Sequence, residues 1–249
     1  SRTVYDMGAE LSTKLNRIFT LNSGFAEKIK HEVTPKLEYA FLPNVIQDDL
    51  PSFDDIDRVL EKNMVTWSLT NSFIAKKRIS QEEGKENINY REIAWVKFSQ
   101  DYDIKTERDK NPATRTWSDI RMESELHPTS LFSVDTDVDF DPYNSHFTKI
   151  NFGGTLKDRR GDYVTTEYRY TLESSETWYT KILGQISKSF GIYFSFEQDL
   201  EKRQTIETRT GLFLDRPCWD LDLQYKESSD SRKILFLITL EGIGEFGQK

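Results

Sequence analysis

Apolar and polar residues alternate one by one along most of the chain, a pattern typical of β-strands whose two faces meet different surroundings. The stretch FSVDTDVDFD, residues 132–141, shows it most plainly, with aspartate at every second position and mostly Phe and Val between. Helical periodicity is almost absent. With the turn signals, the alternation predicts about fourteen strands in an up-and-down meander. The predicted strands are 3–12, 16–25, 29–43, 63–80, 88–102, 115–127, 130–141, 146–157, 162–173, 177–188, 191–201, 205–215, 218–227 and 231–241.

The lengths of the predicted strands and loops favour a membrane barrel. Many strands run for ten or more residues, whereas strands of soluble proteins average about five or six. The connections 44–62 and 102–114 are long, whereas turns such as KDRRGD at 157–162 are short. Outer-membrane barrels show this asymmetry between external loops and periplasmic turns. The sequence therefore predicts an all-β fold, an antiparallel up-and-down transmembrane β-barrel.

Composition limits the class of protein without deciding it. A net charge of −8 and a pI of about 5.1 argue against a nucleic-acid partner, which would require a basic face. The mean hydropathy of −0.67 argues against helical spans, but a barrel wall keeps half of its strand positions polar. Two alternatives stay open on these grounds: a self-contained channel whose first and last strands pair with each other, and a soluble all-β binding domain.

Residues for catalysis or metal binding are not brought together by any motif. The series that starts at Asp135 resembles the opening of a calcium loop, but such a loop needs Gly at its sixth position and Glu at its twelfth. Those positions hold Phe140 and His146. The other histidines, His31 and His127, have no cysteine or paired carboxylate at metal spacing. We expect no enzyme activity, no catalytic residue and no metal site, although barrel enzymes place catalytic residues on strands and lone residues do not exclude that class.

Two segments carry a family resemblance. Residues 31–57, HEVTPKLEYAFLPNVIQDDLPSFDDID, and residues 218–247, CWDLDLQYKESSDSRKILFLITLEGIGEFG, lie near the two ends of the chain. The first resembles the H-x-x-x-P-x-x-x-Y-x-x-x-P…Q…LP-x-F-D pattern of the LptD family of outer-membrane lipopolysaccharide-assembly proteins, and the second is similar to the last hairpin of that family. The residues that carry the first pattern are His31, Pro35, Tyr39, Pro43, Gln47, Pro51, Phe53 and Asp54.

The resemblance implies a function and a location. Residues 1–249 would be the C-terminal portion of the barrel, without the N-terminal periplasmic jelly-roll and the first barrel strands. The implied function is transport and insertion of lipopolysaccharide into the outer leaflet of the outer membrane of a Gram-negative bacterium. The implied partners are lipopolysaccharide, the plug lipoprotein LptE, the periplasmic bridge protein LptA through the N-terminal domain, and the barrel-assembly machinery. No cofactor is expected, and divalent cations bound with lipopolysaccharide stay an open alternative.

The resemblance also gives a role to the single cysteine, Cys218. Counting hairpins back from a periplasmic C-terminus makes DRP, 215–217, a periplasmic turn, which places Cys218 at the periplasmic rim. In the family, a cysteine here forms a disulfide with the periplasmic N-terminal domain. A buried free thiol is the alternative. Because Pro217 precedes Cys218, where some members carry a second cysteine, this segment can form one such bridge.

The last predicted strand and the aspartate series complete the expected site. The strand KILFLITL, 233–240, is apolar on both faces, and the resemblance implies that it forms one side of a lateral gate; the alternative is that protein covers its lumen side. Aspartates in the lumen would repel the phosphates of lipopolysaccharide unless cations intervene, and a solvated wall without substrate contact is the alternative. The expected gate residues are Ile234, Leu235, Phe236, Leu237, Ile238 and Leu240, and the expected lumen residues are Asp135, Asp137, Asp139, Arg121 and Arg169.

Overall fold

The computed structural model describes residues 4–21, 23–45, 59–82, 85–109 and 115–247, with the side chains of 78–82 and 85–87 left out. These residues form fifteen antiparallel strands and one short helix, which confirms the predicted all-β, up-and-down fold. The elements are β1 (Met7–Ser12), β2 (Leu15–Thr20), β3 (Lys28–Leu42), β4 (Lys62–Glu82), β5 (Lys85–Asp103), α1 (Ile104–Asp109), β6 (Ile120–Thr129), β7 (Phe132–Asp141), β8 (His146–Lys157), β9 (Tyr163–Thr171), β10 (Ser175–Ser187), β11 (Phe190–Asp199), β12 (Gln204–Arg216), β13 (Trp219–Ser228), β14 (Ser231–Leu240) and β15 (Gly244–Gly247).

The chain divides into two compact units. The first comprises Ser1–Ser124 and Asp139–His146, and the second comprises Glu125–Val138 and Phe147–Lys249. In the first unit, β3 pairs with β4 along its whole length, and β4 pairs with β5 as a long hairpin. In the second unit, each strand from β8 to β15 pairs with the next one along the chain.

The first two strands form one line rather than a hairpin, so the meander predicted at this point is wrong. Both β1 and β2 pair antiparallel with β3, from Met7 opposite Phe41 as far as Thr20, in one unbroken register. The ladder stops between them because Pro35 of β3 has no N–H to donate. Thr13 still donates its N–H to the Pro35 carbonyl at 3.3 Å. Pro35 therefore interrupts a single strand where the alternation predicted a turn.

Two further elements were not predicted. The helix α1 occupies the start of the connection predicted as a long loop at 102–114. The short strand β15 pairs with residues Leu237–Leu240 of β14. Four residues are too few for alternation to predict a strand. None of the helices in the described part of the chain is long and apolar enough to cross a membrane.

The strand pairing assembles the alternating side chains into two continuous faces. In the second unit, one cross-strand row runs through Val164, Ile182, Phe194, Thr210, Tyr225 and Ile234. We call the side of the sheet that carries this row the apolar face and the opposite side the polar face. Large apolar side chains on the apolar face are exposed: Ile234 is 75% exposed and Ile182 is 48% exposed.

Few described apolar side chains are buried. They are Ala26, Ala75, Ile93 and Leu237, and the first three form a small cluster in the first unit. A soluble sandwich would bury one face of each sheet in a core, as the hydrophobic effect requires. The apolar face of this sheet instead presents large side chains outward, which indicates a surface that needs an apolar cover.

Candidate functional site

Several charged side chains of the polar face stand in acid–base pairs. Lys149 of β8 forms a salt bridge with Asp137 of β7. Glu207 of β12 forms salt bridges with Arg209 on the same strand and with Lys226 on β13. These cross-strand pairs depend on the register between strands, which alternation within one strand does not predict. Lys149 and Lys226 are therefore residues that the sequence analysis missed.

The two predicted lumen arginines lie beside ionic partners. Arg121 contacts Glu123 at 3.1 Å, and Arg169 forms a salt bridge with Glu167; in each case the partner stands two residues away on the same strand. Residues two apart share a face of a strand, so these pairs follow directly from the alternation. Asp135 lies against the backbone of Gly153: a Cβ built on that glycine would stand 2.5 Å from the carboxylate. Gly153 lets β8 approach the β7 carboxylate.

Aromatic rings cover two glycines of the polar face. The Tyr193 ring lies over Gly211 of the neighbouring strand, where a Cβ would stand 2.2 Å from its Cζ atom. Phe213 covers Gly191 in the same way, with a distance of 2.4 Å. The Tyr193 hydroxyl donates to Asp222 Oδ1 at 2.8 Å. The glycines thus allow the rings to lie flat along the wall, with the phenol held by a carboxylate.

Asp141, the last residue of the aspartate series, organises the connection after β7. The residue is 1% exposed. The carboxylate accepts hydrogen bonds from the N–H of Tyr143 at 2.8 Å, from the N–H of Asn144 at 3.2 Å and from the Arg115 guanidinium at 2.6 Å. The Tyr143 hydroxyl in turn accepts from the N–H of Trp117 at 2.9 Å. Asp141 therefore ties two connecting segments together and is a structural residue.

The turn at 158–162 is fixed by its own side chains. Asp158 Oδ1 accepts from the N–H groups of Arg160, Gly161 and Asp162, and Gly161 has a φ of 104° that only glycine adopts easily. The Arg160 guanidinium, followed by the Gln185 N–H, holds the pKa of Asp162 below its usual range. The turn between β8 and β9 is therefore fixed by its own hydrogen bonds.

No group of three or more His, Cys, Asp or Glu side chains suited to a metal ion occurs in the residues that the structure describes. His31 instead stacks on Phe73, with ring centroids 4.5 Å apart and an interplanar angle of 1°. Its Nε2 lies 3.1 Å from Asn71 Oδ1. His31 is therefore occupied by packing and by one side-chain hydrogen bond.

Comparison with known proteins identifies the family of the chain that forms this sheet with one apolar and one polar face. The family model described as LPS transport system D, LptD, matches residues 1–197, most of the chain. The chain belongs to the LptD family. It is 21% identical over 266 residues to the LPS-assembly protein LptD of Thiobacillus denitrificans (strain ATCC 25259 / T1). That match covers 92% of this chain and 35% of the relative, so the chain spans about a third of the relative's length. LptD membership implies that the all-β fold is an outer-membrane barrel.

The residues of the LptD pattern follow one side of β3. His31, Pro35 and Tyr39 are spaced by four, which places them on the same face of the strand. The Tyr39 hydroxyl donates to Asn63 Oδ1 at 3.1 Å, and Pro43 follows the end of the strand. The remaining pattern residues, Gln47, Pro51, Phe53 and Asp54, lie outside the described residues.

Cys218 lies in the tight turn between β12 and β13, directly after the predicted turn at 215–217, and it is exposed. Within the described residues its thiol is therefore not buried. The Cys218 carbonyl accepts from the Glu241 N–H at 3.0 Å, so this turn lies beside the turn that follows β14. Asp215 donates its N–H to the Ser189 carbonyl at 2.8 Å. The turn between β10 and β11 therefore lies at the same end of the sheet as Cys218.

The predicted gate strand is β14. Ile234 and Phe236, at 75% and 52% exposure, stand on the apolar face. Leu237 lies on the polar side and is only 7% exposed, opposite Asp222 of β13. Because β15 pairs only with the second half of β14, the edge from residue 231 to 236 has no β15 partner. The role of this edge as a gate stays a prediction.

Proposed function

We propose that this chain is a section of the wall of an outer-membrane barrel that inserts lipopolysaccharide into the outer leaflet of a Gram-negative bacterium. The observation that carries the proposal is the LptD family match over residues 1–197. The name of the T. denitrificans relative, an LPS-assembly protein, supports the same substrate. No covalent chemistry is part of the proposed function.

The two faces of the sheet support this placement. The apolar face would meet lipid, because each Å² of apolar surface removed from water contributes about 25 cal/mol. The polar face would line a wet lumen, where paired charges such as Asp137 with Lys149 remain hydrated. The aspartates of β7 would then border the path of the sugar chain without presenting an unbalanced negative wall.

We propose the lateral gate at β14 because its edge from 231 to 236 has no β15 partner among the described residues. In lipid, an unpaired backbone group costs several kcal/mol, since no water replaces the lost hydrogen bond. The edge at 231–236 should therefore pair with the first barrel strand of the whole protein at rest. The seam would open for the acyl chains and close behind them.

Cys218 would fasten this end of the barrel to the N-terminal periplasmic domain. Its exposure makes the thiol accessible to a partner cysteine, and the periplasm is an oxidising compartment. This orientation places the turns at 158–162 and 217–218 on the periplasmic side. We further propose the plug lipoprotein LptE, the bridge protein LptA through the N-terminal domain, and the barrel-assembly machinery as partners.

Cross-linking the seam tests the gate. Cysteine is introduced at Leu235 and at the facing position of the first barrel strand in the full-length protein. Oxidation should stop the appearance of new lipopolysaccharide at the cell surface, because the acyl chains can no longer leave, and reduction should restore it. The Leu235→Cys variant alone is the matched control and should deliver lipopolysaccharide normally. Normal delivery through a fully cross-linked seam would overturn the gate assignment.

A further inference from the structure

One cross-strand row of the polar face carries a cation on four of the five strands from β10 to β14. The pairing from β10 to β14 places Lys181, Ser195, Arg209, Lys226 and Lys233 in register. Neighbouring strands lie about 4.8 Å apart, so these side chains form one line across the sheet. We call this line the basic row. It ends on β14, within the part of that strand that β15 does not pair.

The rows on either side of the basic row have different chemistry. Two residues further along each strand, on one side, the pairing aligns Glu167, Tyr179, Glu197 and Glu207. On the other side it aligns uncharged groups, among them Tyr193 and Gly211. The cations therefore form a discrete line, with acids along one border and aromatic groups along the other.

The acids do not neutralise the whole basic row. Glu207 forms salt bridges with both Arg209 and Lys226, so one carboxylate serves two cations. The Lys181 ammonium lies 4.9 Å from the centroid of the Tyr193 ring, a cation–π contact that leaves its charge in place. Lys233 is exposed on β14. The row keeps an excess of positive charge in a chain of net charge −8.

We propose that the basic row binds the phosphate groups of the lipid substrate and guides them along the wall to the edge of β14. The inference rests on the proposed function and adds the binding site for the charged headgroup. Lysine ammonium groups bind phosphate as point charges, and successive cations along the row offer successive contacts as the headgroup moves. The acidic border would repel a phosphate that leaves the row and so confine its path.

Binding of phosphorylated and dephosphorylated lipopolysaccharide to the full-length protein in detergent tests this proposal. The variant Lys181→Gln/Lys233→Gln should lose roughly tenfold in affinity for each cation removed, since a charge-assisted contact contributes at least that much. Its affinity for the dephosphorylated lipid should not change. Lys157→Gln is the matched control, because Lys157 of β8 also lies on the polar face but is not part of the basic row. The folded band on semi-native gels shows that each variant is folded.

Three results would overturn the proposal. The first is that wild type and the double variant bind the phosphorylated lipid with equal affinity. The second is that Lys157→Gln loses as much affinity for this lipid as the double variant does. The third is that inorganic phosphate at low millimolar concentration displaces the lipid. The last would show that the row takes a free anion. If the wild-type protein delivers lipopolysaccharide but the double variant binds it as tightly as wild type, this inference alone is wrong. If the wild-type protein neither binds nor delivers lipopolysaccharide, the proposed function is wrong as well.

Discussion

Replacing Val138 by lysine is expected to lower the free energy of unfolding by about 2–4 kcal/mol, the cost of a charge on the lipid side near the middle of a barrel strand. Val138 stands in the second half of β7, on the side opposite the aspartates. The measurement is a urea titration of the folded band on semi-native gels, with the full-length protein in its membrane. Val138→Leu controls for the change in size and should stay close to wild type.

The matched substitution on the other side of the strand is Asp137→Asn. It removes the salt bridge with Lys149 but leaves a polar side chain on the polar face. We expect a loss of less than about 1 kcal/mol, the range of hydrated ion pairs. Equal losses at Val138 and Asp137 would contradict the assignment of the two faces, because both sides of β7 would then meet the same surroundings.

Replacing Gly211 by valine is expected to lower the free energy of unfolding by about 3 kcal/mol, the upper range for overpacking. The new Cβ would stand 2.2 Å from the Tyr193 ring, so the ring has to leave its place and its hydroxyl loses Asp222. The same urea titration measures the loss, and less folded protein should accumulate in the membrane.

Gly154→Val is the matched control for Gly211→Val, since a Cβ at Gly154 meets no atom closer than 4.0 Å. It should cost well under 1 kcal/mol, because valine also favours strands. Tyr193→Ala combined with Gly211→Val should cost less than the sum of the two single changes, because the ring is no longer in the way. Strict additivity would show that the ring and the glycine do not share this space.

The strands and their faces were predictable because alternation is a local property. The pairing of strands within a sheet cannot be read from it, however, since each partner depends on turn length and bulges. The interruption at Pro35 shows the difference. Local alternation separated two strands there, while the pairing with β3 makes them one line. The bulge between Phe73 and Ile74 shifts the register of β4 against β5 in a way that neither strand reveals alone.

The candidate site was predicted less completely than the fold. The alternation of the β7 aspartates and the turn beside Cys218 follow from local sequence. Lys149 and the basic row do not, because their cations are scattered along the sequence and come together only through the cross-strand register. The aromatic cover of Gly211 was missed for the same reason: its ring comes from the neighbouring strand.

A photoreactive residue placed on either side of β9 tests the central claim most directly. Val164 stands on the apolar face and Thr165, the next residue, on the polar face, both near the turn at 158–162. In cells that deliver lipopolysaccharide, the probe at Thr165 should cross-link to lipopolysaccharide, and the probe at Val164 should cross-link to phospholipid. Lipopolysaccharide cross-linked at Val164 and absent at Thr165 would contradict the claim that the polar face lines the path of the substrate.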